Sequence, residues 1–114
     1  MEIRVEKRGP VAIVSIDGSV DGTTAGDLVA ALRNQVTAGS VQLVADLAGV
    51  DYTSSAGLRA LLETVKEARQ HGGDLRLAAV RREVLRVLEL SGFTSILQVF
   101  PDVDSAAASF PASA

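Results

Sequence analysis

The sequence predicts an α/β protein with a mixed, mostly parallel β-sheet of four to five strands and about four helices, in the order ββαβαβαβα. Apolar residues switch repeatedly along the chain between the two-residue period of strands and the 3.6-residue period of helices. Glycine and proline punctuate nearly every switch, at Gly9-Pro10, Gly18, Gly39, Gly72-Gly73, Gly92 and Pro101. Hydrophobic residues make up 47% of the 114, while aromatics reach 4% and Trp is absent, so the core is aliphatic. Strands alternating with helices of this length imply right-handed crossovers and a largely parallel sheet.

The first strand runs from Glu2 to Arg8, where Ile3, Val5 and Lys7 alternate with Glu2, Arg4 and Glu6, a pattern that predicts one buried face. Gly9-Pro10 breaks it, and the β-branched run Val11 to Ile16 completes an antiparallel hairpin. After a loop, Thr24 is the expected helix N-cap, with Asp27 three residues on in the manner of a capping box. Leu28, Ala31, Leu32 and Val36 fall on one helical face before Gly39. Val41 to Leu47 is apolar enough for a central strand covered on both sides. Leu58, Leu61, Leu62 and Val65 give the next helix its apolar stripe, with Arg59, Glu63, Lys66 and Glu67 outward. Lys66, Arg69 and His71 sit late in this helix, favourable against its negative end. A strand at Leu75 to Val80 and a helix at Arg82 to Leu90, burying Val84, Leu85 and Leu88, follow. Ile96 to Phe100 is the last strand. Asp102 caps a final helix carrying Val103, Ala106, Ala107 and Phe110. One domain is expected over 1–110, with a loose tail at 111–114.

Composition excludes several function classes. A net charge of −3 offers no electrostatic footprint for nucleic acid or an anionic membrane. Arg81, Arg82 and Arg86, interrupted by Glu83, read as a solvated helix face. With no cysteine, disulfides, thiolate nucleophiles and Cys-ligated zinc are ruled out, and His71 alone cannot assemble a histidine metal site. The N-terminus lacks the apolar stretch of a signal peptide, and no apolar run approaches the ~18 residues that span a bilayer. A cytoplasmic protein without cofactor or metal is expected.

Sites in open α/β sheets gather in the loops beyond the carboxyl ends of the strands. Two such loops, Asp17 to Thr24 and Asp51 to Gly57, hold most of the small polar residues. In the second, Ser54 and Ser55 lie where first-turn amides are unpaired. One of them can serve simply as the N-cap. Alternatively the two hydroxyls, followed by small Ala56 and Gly57, form an exposed site at which a phosphoserine would gain from the helix dipole and free amides. Catalysis fits less well. Thr53-Ser54-Ser55-Ala56-Gly57 is half of a nucleophile elbow, with Thr53 in place of its first glycine. His71 lies about 24 Å along the same helix, too far to serve Ser55 as base. No phosphate-binding loop of the nucleotidase type is present. Asp21, Asp46 and Asp51 are the carboxylates that could meet at a metal, although capping turns and solvating loop ends is their simpler role.

These residues resemble a known family. Val41 to Leu62, with Asp46-Leu47 closing a strand and Ser54-Ser55-Ala56-Gly57-Leu58 opening a helix, is similar to the STAS domain of bacterial anti-sigma-factor antagonists. Gly18-Ser19-Val20-Asp21 resembles the family's loop before its first helix, and Leu88-Glu89-Leu90-Ser91-Gly92-Phe93 the segment ending its third. The resemblance implies the STAS fold and a binding module, not an enzyme. It implies that the unphosphorylated protein binds an anti-sigma factor that is also a serine kinase, releasing the sigma factor. Phosphorylation of Ser55, with Ser54 and Thr53 as fallback positions, would break the complex, and a separate phosphatase would restore it. Ser54 stands where well-studied members carry an aspartate. The implied partner surface comprises Asp21, Gly22, Thr23, Asp46, Tyr52, Thr53, Ser54, Ser55, Ala56, Gly57, Leu58 and Arg59. The alternatives are a STAS subunit of a membrane-associated transport ATPase complex and a partner-switching scaffold outside transcription. A monomer is favoured, because Arg4 and Lys7 on the opening strand discourage pairing with a second copy.

Overall fold

A computed structural model describes residues 1–111, and its five strands form one sheet in the order β1-β2-β3-β4-β5. The strands are β1 (Glu2–Arg8), β2 (Val11–Asp17), β3 (Gln42–Gly49), β4 (Asp74–Ala78) and β5 (Val99–Phe100). β1 pairs antiparallel with β2, and every later pair is parallel. The helices are α1 (Ala25–Thr37), α2 (Ser55–Gln70), α3 (Arg82–Leu90) and α4 (Val103–Ala108), so the element order follows the expected alternation. Of the expected 111–114 tail, all but Pro111 lies outside the described residues.

This strand order decides how the sheet is covered. From β2 to β5 the chain always steps in the same direction, and right-handed crossovers taken in one direction place their helices on one face. Accordingly Leu28 and Leu32 of α1, Leu61 and Val65 of α2, and Val84 and Leu88 of α3 share one core with Val14, Leu43, Ala45 and Leu77 of the sheet. Leu85 is only half-buried. Among the described residues the opposite face carries only α4 and the segment after it, where Ala106 and Phe110 cover Val11, Ile13, Val44 and Ala78. β3 is thus covered on both sides at Val44, but Asp46, further along the α4 face, remains half-buried.

Three strands depart from the sequence expectation, β1 in burial and two others in extent. β1 is the outer strand, beyond the helical layer, so of its expected buried face only Ile3 packs against the core. Val5 is 45% exposed, and exposed Lys7 donates to Ser40 Oγ at 2.6 Å. β4 ends at Ala78 rather than Val80, where Ala79 turns into the left-handed region at φ 56°. The strand expected from Ile96 is confined to Val99–Phe100. Phe93–Ser95 forms a 3-10 turn that draws in the amides of Ile96 and Leu97, leaving Leu97 buried but unavailable to the ladder.

A buried carboxylate ties the layers together. Asp74, 7% exposed at the start of β4, accepts from Arg69 Nε at 2.9 Å and from Arg76 Nε at 3.1 Å. Arg69 also donates to the Ile96 carbonyl, while Arg76 donates to the Ser109 carbonyl and lies 4.1 Å from the centre of the Phe110 ring. Just before it, Gly73 passes so close to β3 that a Cβ would fall onto the Val41 carbonyl, an atom that Asp74 N already uses as acceptor. Gly73→Ala is therefore expected to lower unfolding stability by about 2 kcal/mol or more. Urea denaturation checks this, and an unchanged midpoint would mean that the α2–β4 connection can shift freely.

Candidate functional site

The loops after β2 and β3 meet beyond the carboxyl edge of the sheet, and main-chain bonds continue the parallel pairing between them. Val20 N donates to the Tyr52 carbonyl at 2.9 Å, and Ser54 N donates to the Val20 carbonyl at 2.8 Å. Val20 and Thr53 thereby form an isolated parallel bridge. Gly18 N donates to the Gly49 carbonyl below it, and the Ser19 hydroxyl donates to Asp51 Oδ1 at 3.0 Å. Thr53 is buried in this seam.

At the start of α2 the two serines divide the available roles. Ser54, extended at φ −89° and ψ 175°, is the N-cap, and its hydroxyl accepts from Gly57 N at 3.3 Å. Ser55 is the first helical residue and is exposed, and among the described residues nothing bonds its hydroxyl. Capping by Ser54 thus leaves the Ser55 hydroxyl free beside the unpaired first-turn amides and the positive end of a 16-residue helix. Gly57 is required here by close approach, because a Cβ would collide with Thr53 Oγ1 and stand 2.8 Å from Val20 Cγ1.

The neighbouring loop is organised by Asp21. Its Oδ1 accepts from the Thr23 hydroxyl at 2.7 Å, the Thr23 amide at 2.9 Å and the Thr24 amide at 3.2 Å. These bonds, led by the Thr23 hydroxyl and then its amide, hold the Asp21 carboxyl below the ordinary aspartate value against the opposing effect of desolvation. Thr24 occupies the N-cap position of α1 but does not cap it with its side chain, and the expected box with Asp27 does not form. The Thr24 hydroxyl is committed elsewhere, accepting from Asp21 N at 2.9 Å and donating to the Ser19 carbonyl at 3.1 Å.

The expected surface residues therefore separate by position. Gly22, Thr23, Tyr52, Ser55 and Arg59 are exposed, Tyr52 at 54%, with Arg59 one turn along α2 from Ser55. Asp21, Ser54 and Ala56 are half-buried, while Thr53, Gly57 and Leu58 are buried and hold the loop from beneath. Asp46 stands apart. Leu43, Ala45 and Leu47 face the three-helix layer, so alternation turns Asp46 to the α4 side, where it accepts from Ala48 N at 3.1 Å and Ser15 Oγ at 3.4 Å. Asp21, Asp46 and Asp51 are thus each engaged separately, and no three potential metal-ligating side chains converge among the described residues. His71 is the C-cap of α2, at the opposite end of the helix from Ser55. Ser19 and Val20, absent from the expected surface, prove to be the residues that join the loops, and their partners lie 32 or more positions away.

Two outcomes follow from this geometry. Gly57→Ala is expected to force Thr53 and Val20 apart, lowering stability by about 1–3 kcal/mol and broadening the amide resonances of both loops in NMR. Because the Asp21 carboxyl is depressed, its contribution is complete at neutral pH and is lost as pH falls through its lowered value. Acid titration should therefore shift the Thr23 and Thr24 amide resonances only below the ordinary aspartate range, and Asp21→Asn should abolish that step.

A family model described as the STAS domain matches residues 2–106. The chain is 39% identical over 110 residues to a Bordetella bronchiseptica protein named as a candidate anti-sigma factor antagonist, BtrV, across 96% of this chain and 95% of that protein. An anti-sigma factor antagonist from Mycobacterium paratuberculosis superposes with a TM-score of 0.86 at 28% identity, covering 95% of this chain and 92% of the other. A candidate anti-sigma factor antagonist from Thermotoga maritima superposes with a TM-score of 0.89 over 94% of this chain and 92% of the other; at 18% identity it speaks for the fold.

Proposed function

The chain belongs to the STAS domain family, and from that membership and the geometry of α2 we propose that it is an anti-sigma factor antagonist switched at Ser55. On this reading the unphosphorylated protein binds an anti-sigma factor with serine-kinase activity, which frees the sigma factor. Transfer of a phosphoryl group from the kinase's ATP to the Ser55 hydroxyl ends the complex, and a phosphatase resets it. The protein itself acts as a binding module of the cytoplasm and supplies no catalytic group.

One observation carries the choice of Ser55: Ser54 spends its hydroxyl on the Gly57 amide as N-cap, while Ser55 is exposed and uncommitted. Thr53, the other fallback, is buried. Tyr52 and Arg59 flank Ser55 as an exposed aromatic and an exposed guanidinium, the residue types enriched at the centres of protein interfaces. Gly22 and Thr23 extend this surface across the stitched loops, and Asp21 acts by shaping them. Asp46 contributes to the α4 side of the sheet rather than to the contact.

The direction of the switch follows from electrostatics. A phosphoserine adds about −1.5 to −2 charges and considerable bulk at the centre of the docking surface. Left against a partner shaped for a neutral hydroxyl, that conflict costs about 3 kcal/mol, a hundredfold or so in affinity. No change of fold is needed. The first-turn amides of α2 stabilise the phosphate once made, so the modified state persists until a phosphatase acts.

Incubation with the cognate anti-sigma kinase and ATP, followed by intact-mass measurement and site mapping, tests the proposal. A single phosphate on Ser55 with loss of the complex is expected. Ser55→Ala should remain folded, accept no phosphate and bind constitutively, and Ser55→Asp should weaken binding only in part, having one charge and no tetrahedral group. Ser54→Ala should lose about 1 kcal/mol of stability as a cap deletion yet still be phosphorylated. Phosphate incorporation into Ser55→Ala at the wild-type rate would refute the assignment.

A further inference from the structure

Among the described residues β1 is an open sheet edge, guarded against pairing only by its charges. All seven of its residues pair in unbroken register with β2, so it contains no bulge, and it contains no proline. Its charges discourage pairing only if like charges meet, and whether they meet depends on register. Opposed antiparallel to itself about Val5, the strand sets Glu2 against Arg8, Arg4 against Glu6, Ile3 against Lys7 and Val5 against Val5 of the second copy. Every charge on the α4 side then meets its opposite. A shift of two residues one way opposes Glu2 to Glu6 and Arg4 to itself; the other way it opposes Arg4 to Arg8 and Glu6 to itself. A one-residue shift places the charged face of one copy opposite the Ile3–Val5 face of the other. Of these registers only the Val5-centred one opposes every charge of the α4 side to its opposite while setting Val5 against its own copy on the other side, with the Lys7 stem beside Ile3.

The backbone agrees with the same register. The two-residue turn Gly9-Pro10 closes on the pair Arg8 and Val11, and in a hairpin of this loop length that closing pair is the one that exchanges main-chain bonds. By alternation Arg8, Glu6, Arg4 and Glu2 direct their amides into β2, while those of Lys7, Val5 and Ile3 point outward. These three are the residues that the Val5-centred register pairs with one another. Val5, 45% exposed, would be covered by its own copy. The competing ion pairs within the chain, Arg4 with Asp17 at 3.6 Å and Arg8 with Glu6 at 3.6 Å and Asp104 at 2.7 Å, are solvent-exposed and yield at little cost.

We infer that β1 is a self-association edge, through which two copies of the chain form a twofold dimer with one continuous ten-stranded sheet centred on Val5. The twofold axis reverses the strands of the second copy, so the two Ser55 sites point to opposite ends of the dimer and both stay accessible. Self-association is therefore independent of the Ser55 switch. It is also weak, since an edge-on contact covers only one strand from each copy.

Sedimentation velocity over a concentration series tests this with the intact chain. Wild type is expected to pass from monomer to dimer as concentration rises, and Ser55→Ala to behave identically. Arg4→Glu and Glu6→Arg should each weaken the dimer about tenfold or more, because like charges then oppose each other twice across the axis. The double variant R4E/E6R should restore it, which neither a loss of folding nor a nonspecific charge effect would produce. Val5→Cys, the sole thiol of its chain, should form a disulfide-linked dimer on mild oxidation. A wild type that stays monomeric at its highest soluble concentration, or a double variant no better than the singles, would overturn the inference.

Discussion

Two main-chain bonds, from Val20 N to the Tyr52 carbonyl and from Ser54 N to the Val20 carbonyl, hold together everything that distinguishes this end of the molecule. They carry the parallel pairing of β2 and β3 past the end of the sheet, and so fix where α2 begins. Gly57 is the condition for that seam to close, since a side chain there would occupy the space taken by Thr53 and Val20. With the seam closed, the first turn of α2 is positioned by main-chain bonds, and the conformation presented at Ser55 is set by backbone geometry.

Around this constraint each polar residue takes one task. Ser54 satisfies a first-turn amide, Asp21 gathers the amides of Thr23 and Thr24, and Ser19 engages Asp51. Among the described residues nothing engages the Ser55 hydroxyl, and it stands on a surface whose supports are already satisfied. A modifiable hydroxyl gains from that arrangement, because changing it disturbs no internal bond. On the proposed reading, the protein can be switched at its surface while its fold remains as it was.

The arrangement of helices has a comparable economy. Because the strands advance in a single direction, α1, α2 and α3 lie on one face, and the short α4 with Phe110 covers the other. Asp74, between Arg69 and Arg76, links these layers by joining the end of α2, the start of β4 and the segment after α4. Breaking a buried charged cluster of this kind leaves an uncompensated charge, so it acts more as a constraint on layer geometry than as a source of net stability. Among the described residues β1, outside the helical layer, is the one long strand with a free edge.

The element order, the hairpin, the aliphatic core and the position of the serine pair at a helix start are legible along the chain, because they follow from periodicity and local turn chemistry. The family resemblance rested on the same short-range motifs. The division of labour between Ser54 and Ser55 was not legible, since both serines can cap and only the backbone angles at Ser54 select one. The residue type of Thr24 suits a cap for the same reason, but the Asp21 amide and the Ser19 carbonyl take its hydroxyl once the loop has folded. Asp46 was placed on the partner surface by the family resemblance, yet a one-residue alternation on β3 turns it to the α4 face. The Val20–Thr53 seam, the Asp74 cluster and the exposure of Val5 were likewise decided only in three dimensions. They depend on strand neighbours and layer coverage, and contacts between residues tens of positions apart leave no periodic trace in the sequence.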